Sequence, residues 1–116
     1  MTVEKRLRDA LSGFGDPVAN GVYRGEKDRY YTFNATTQPA DFADDAPQHE
    51  KYLIQVHFYA PLTFNFVGRR RMTKLALHGA GFLWPECTDA SDEKGRHLVF
   101  ETQYAEGCDL DGDDED

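Results

Sequence analysis

His57, His97 and Glu101 are the residues of this sequence best suited to catalysis. They fall in β-rich stretches, on the positions that alternate with the apolar ones. Neighbouring strands could therefore bring two imidazoles and a carboxylate together as metal ligands or as a proton relay. No other ligand type clusters with them in sequence. The acidic run Asp109-Leu110-Asp111-Gly112-Asp113 has the alternating oxygens of a calcium loop, but its glycine comes two positions early and no bidentate Glu closes it. Cys87 and Cys108 do not form a CxxC pair, so neither dithiol redox chemistry nor a Cys-rich zinc site is indicated. A glycine-rich phosphate loop, an HExxH and a GxSxG are missing as well. These residues predict a protein that is not an enzyme, with no catalytic residue, cofactor or metal site.

The remaining cluster that could recognise something is basic: Arg69-Arg70-Arg71 with Lys74. Three adjacent arginines spread over most of a helix circumference, so they cannot all face one groove and at least one must meet protein. Solvation, pairing with carboxylates of a neighbouring subunit and contact with a nucleic-acid backbone are the three uses open to them. Charge favours protein over nucleic acid. The net charge is −8, from 13 Lys+Arg against 21 Asp+Glu, and without the six acids among the last eight residues it is −2. A body near neutrality has no global electrostatic footprint for DNA or RNA.

The elements that position these groups follow from periodicity. With 116 residues, 40% hydrophobic and 29% charged, the chain suits one small domain, expected over residues 1–107, followed by a disordered acidic tail over 108–116 that is dispensable for folding. No apolar run approaches the roughly 20 residues of a membrane span, and the first residues lack a secretory leader. The expectation is a soluble intracellular protein with no membrane partner. Val3, Leu7, Leu11 and Phe14 keep a helical period with Thr2 as N-cap, which predicts a helix over Val3–Ser12. Val22 and Tyr23 suggest a short strand within Ala19–Arg24, and Tyr30–Asn34 a second, with Tyr31 and Phe33 on one face. Tyr52–Ala60 alternates most strictly, so it should be the central strand. Asn65 can cap a second helix running to about Ala80, with Val67, Met72, Leu75, Ala76 and Leu77 inward and the arginines mostly outward. Phe82–Thr88, broken by Pro85, reads as an edge strand, and His97–Tyr104 as the last.

Between the second and central strands lies Ala35–Lys51, which holds Pro39, Asp41, Phe42, Asp44, Asp45 and Pro47. It reads as a long connection, of the kind a small domain keeps for binding or assembly. Asp41, Phe42, Asp44 and Asp45, together with Arg69, Arg70 and Arg71, are the candidate assembly interface. The predicted fold class is α+β, a mainly antiparallel sheet with two helices packed on one face.

Several phrases also carry a family resemblance: Val22-Tyr23-Arg24-Gly25, Tyr31-Thr32-Phe33-Asn34, Pro39–Pro47, Tyr52–Leu62, Ala80-Gly81-Phe82, Trp84-Pro85 and His97–Glu106. In these phrases and in element order the chain resembles the tail-terminator, or tail-completion, proteins of long-tailed bacteriophages and prophages, small proteins of the head–tail gene cluster. The resemblance implies a homo-oligomeric ring, typically a hexamer, that caps the tail-tube protein, stops its polymerisation and meets the head–tail connector. It also implies residence in the virion after assembly in the host cytoplasm, with passive DNA passage through the ring. A head-closure or neck adaptor shares these features, and a small nucleic-acid-binding regulatory domain is the remaining alternative.

Overall fold

The computed structural model describes residues 2–43 and 46–105, and their side chains except at 38–50 and 105. Asp44 and Asp45 and the acidic stretch 108–116 therefore lie outside the described residues. The elements are α1 (Val3–Ser12), β1 (Val18–Asn20), β2 (Tyr30–Ala43), β3 (Ala46–Ala60), α2 (Val67–Gly79), β4 (Glu86–Asp89) and β5 (Arg96–Ala105). The five strands form one sheet in the order β1-β2-β3-β5-β4. β1 runs parallel to β2 and every other pair is antiparallel. This is an α+β fold, with β3 central and β4 at an edge as the sequence suggests, although β4 begins only at Glu86, after Pro85, and Phe82–Pro85 of the expected strand lie outside it.

Register decides which side chains meet. Tyr31 pairs with Phe58, Phe33 with Val56, and these in turn with Leu98 and Phe100 on β5. All six are buried on one face, where Leu7 and Leu11 of α1 and Leu77 of α2 cover them. Both helices thus lie on the same side of the sheet. The Thr2 hydroxyl accepts a hydrogen bond from Lys5 N at 3.1 Å and fixes the start of α1. α2 ends in a Schellman turn: Gly81 takes a φ of 104°, Phe82 N donates to Leu77 O and Gly81 N to His78 O. The turn drops Phe82 into the core.

Three expectations are corrected. The first strand forms at Val18–Asn20 and not around Val22, because Gly21, at a φ of 86°, turns the chain away immediately after β1. The second correction is larger. Ala35–Lys51 is not a loop but the distal part of one long hairpin, paired from Tyr30↔Tyr59 out to Ala43↔Ala46. Proline is tolerated there because β1 ends at Asn20, opposite Phe33, and β5 follows β3 to Lys51, so among the described residues no neighbouring strand asks for an N–H from Pro39 or Pro47. The third concerns α2, which is rotated about its axis from the expected orientation, so that Leu77 keeps its expected inward place and Val67, Met72 and Leu75 do not. Thr73 and Leu77 are buried, whereas Val67, Met72 and Leu75 are 68%, 54% and 42% exposed. Asn65 lies one residue before the helix N-cap, where its side chain accepts from Val67 N at 3.1 Å.

The cause of that rotation is Arg69, which points inward. Its guanidinium lies over the rings of Phe14, Phe58 and Phe64 at 4.9, 5.0 and 5.4 Å and donates to Asp16 Oδ2 at 2.6 Å. Burial works against the Arg69 charge, but Asp16 and the Tyr31 hydroxyl outweigh it and raise its pKa. One turn on, Thr73 Oγ1 shares a 2.7 Å hydrogen bond with the buried Tyr31 hydroxyl. Arg69, Thr73 and Leu77, spaced by four, are the inner stripe of α2.

Candidate functional site

The sheet face opposite the helices carries the chemistry. Alternation places Tyr30 and Thr32 of β2, Gln55, His57 and Tyr59 of β3, and His97 and Glu101 of β5 there. Across it runs a row of rings. Tyr23 packs on Tyr30 at 4.4 Å, Tyr30 stacks on Tyr59 at 5.0 Å, and Tyr59 stacks on His97 at 4.3 Å. The rings are packed on one another along the row.

At the end of the row His57 Nδ1 and His97 Nε2 are 2.9 Å apart, one ring N–H donating to the other ring's lone pair. Burial, helped by the neighbouring His97, lowers the pKa of His57 against an opposing influence of Glu101. Burial likewise lowers that of His97, against Asp92 and Asp89. Both shifts favour the neutral ring. The structure brings the two histidines of the sequence-predicted trio together but not Glu101, which accepts from Gln55 Nε2 at 3.0 Å. Four residues of extended strand separate Glu101 from His97, about 13 Å, with His57 between them on β3 and within electrostatic reach of Glu101. Among the described residues no group of three or more His, Cys, Asp or Glu is placed to hold a metal ion.

Because the lowered pKa values favour neutral rings in the folded state, the pair contributes stability that is full above about pH 6.5, the unfolded value, and is lost as pH falls toward the folded ones. In metal-free buffer, denaturant unfolding of the His57→Gln/His97→Gln variant should lose less stability between pH 7.5 and 5.5 than the parent does. Identical pH slopes would place the pair outside the stability balance.

Next to the histidines the same face opens into a cleft of about 700 Å³, lined among others by Asn34, Leu53, Gln55, Trp84, Glu86 and Glu101. It holds amides and carboxylates but no nucleophile paired with a base. Cys87 is a free thiol on the helix side, beside Phe100, where burial raises its pKa despite Arg70 and Lys74 nearby. It is not an activated thiolate.

The candidate interface residues are scattered. Arg69 is committed to Asp16 of its own chain, Arg70 leans toward Cys87 and Arg71 is exposed. Of the basic residues of α2, Arg69 is thus withdrawn from the surface, while Arg70, Arg71 and Lys74 stay on it. Asp41 and Phe42 lie in the distal part of β2. Sequence reasoning missed Asp16, which organises Arg69 and Arg29 at 2.6 and 3.0 Å. An isolated Asp beside a proline, far from any basic residue in sequence, gives no signal for that role.

In comparison with known proteins the chain matches no protein-family model and no curated protein. No helix among the described residues is long and apolar enough to cross a membrane.

Proposed function

We propose that this protein is a structural subunit that assembles with copies of itself into a closed ring, as a tail terminator capping a phage tail tube and meeting the head connector. The observation that carries the reading is the hairpin arm. β5 accompanies β3 only as far as Lys51↔Ala105, and β1 leaves β2 at Phe33, yet β2 and β3 remain paired to Ala43↔Ala46. Beyond the sheet this leaves a two-stranded arm about 20 Å long whose outer edges have no strand partner among the described residues. The described residues extend over 53 × 27 × 25 Å. An isolated two-stranded ribbon is marginal in water, and unpaired edges invite other chains. An arm kept under those conditions is best explained by a partner that covers it.

The outward face of α2 adds a second contact surface, with Val67, Met72 and Leu75 exposed beside Arg71. Arm and helix face are different patches, so a contact between them is heterologous and closes into a ring when the rotation permits. The six-copy number, the tail-tube and connector partners and the virion setting come from the family resemblance, and DNA passes through such a ring without base recognition. Native mass measured from micromolar to near-millimolar protein should show a discrete oligomer growing with concentration, with rings visible by electron microscopy. A monomer throughout that range would overturn the reading.

A further inference from the structure

Among the described residues seven large apolar side chains are exposed, and five of them fall in two patches. Val67, Met72 and Leu75 make up the first, on the outward face of α2. Val67 and Leu75 flank Arg71 in a stripe spaced by four, and Arg71 is its exposed cation. Leu83 and Trp84 make up the second, in the wall of the cleft of about 700 Å³, whose charged lining residues are Glu86 and Glu101. One patch is apolar and cationic, the other apolar and anionic. The sheet stands between them, so a single chain cannot bring them together.

The two glutamates are register partners on β4 and β5, so their carboxylates project side by side from one face of the sheet. Like charges directly opposite each other destabilise a strand pair. Glu101 accepts from Gln55 Nε2 at 3.0 Å, but neither glutamate has a cation partner among the described residues. We propose that the cleft is the seat for the outward face of α2 of a second copy, with Arg71 of that copy entering between Glu86 and Glu101. A guanidinium binds carboxylates through several N–H donors and packs on an indole, which suits a cleft with two glutamates beside Trp84. Val67 and Leu75 of the second copy then meet Leu83 and Trp84. Thr36 and Leu53, which also line the cleft, are register partners two residues short of the point where β5 leaves β3 and the arm begins. Cleft and arm thus form one receiving surface, and its contact with α2 is heterologous, as ring closure requires. This contact presupposes the ring proposed above and names the two surfaces that meet in it.

The test is native mass of the full chain and its variants at concentrations where the parent forms its oligomer. Arg71→Glu, and separately Glu86→Lys with Glu101→Lys, should each raise the concentration needed for assembly roughly tenfold or more. Mixed in equal amounts, the two variants should assemble at the parent's concentration, because every contact between unlike copies sets opposite charges together. No folding defect can imitate that recovery. Glu86→Gln should melt at the parent's temperature or slightly above it, since the like-charge pair is relieved, yet assemble less well. A parent that stays monomeric would overturn the ring and this contact with it. A parent that forms rings, beside variants that assemble as it does or a mixture no better than its components, would overturn this contact alone.

Discussion

Asp16→Ala should destabilise the protein by about 3–5 kcal/mol, the cost of leaving a buried charge without its partner. The side chains of Asp16 and Arg69 are 8% and 14% exposed, so water can do little for either ion alone. Arg69 cannot relax outward without dragging α2 off the sheet, because its guanidinium is sandwiched among Phe14, Phe58 and Phe64. Arg29, which shares the Asp16 carboxylate at 3.0 Å, is 43% exposed and can turn to solvent, so its contribution is small. The melting temperature of Asp16→Ala should therefore fall by roughly 10 °C or more. Removing both charges, as Asp16→Asn with Arg69→Met, should recover a large part of the loss, since a methionine fills the aromatic slot without needing a counter-ion. A double variant as unstable as the single one would mean that Asp16 acts through the turn after α1 and not through Arg69.

That ion pair also explains which parts of the fold were legible in the sequence. α1 was fully readable, because its N-cap, apolar period and terminating Gly13 all agree. The central strand was readable because Ile54, Val56 and Phe58 alternate with polar neighbours. α2 was readable as a helix but not in orientation: hydrophobicity turns Met72 and Leu75 inward, whereas the real inner stripe contains an arginine and a threonine. Each of those is satisfied by a single distant group, Asp16 and the Tyr31 hydroxyl, that no local pattern announces. Strand phase likewise puts His57 and His97 on one face, but only the register between β3 and β5 makes them neighbours. The distal hairpin was hidden for the opposite reason. Pro39, Pro47 and the acids argue against a central strand, and they do so correctly; what they permit is a ribbon with open edges.

Replacing residues 38–51 by Asn-Gly should leave a folded domain that no longer assembles. Thr37 and Tyr52 are register partners, so the two ends can be joined by a two-residue turn whose backbone twist matches antiparallel strands. The core is untouched by the change, since Tyr31, Phe33, Ile54, Val56 and Phe58 all lie on the retained side of the junction. Shortening the connection also lowers the entropy lost on closing the hairpin, so the isolated domain should melt at the same temperature as the parent or slightly above it. Assembly should respond very differently. If the arm is the element a neighbouring copy covers, the shortened protein stays monomeric at concentrations where the parent forms its oligomer, and mixing the two yields no rings. Should the shortened protein unfold instead, the arm would belong to the fold of the single chain. Oligomers of undiminished size would shift the contact to the exposed face of α2, where Met72→Lys and Leu75→Lys would then be the substitutions that disperse the ring.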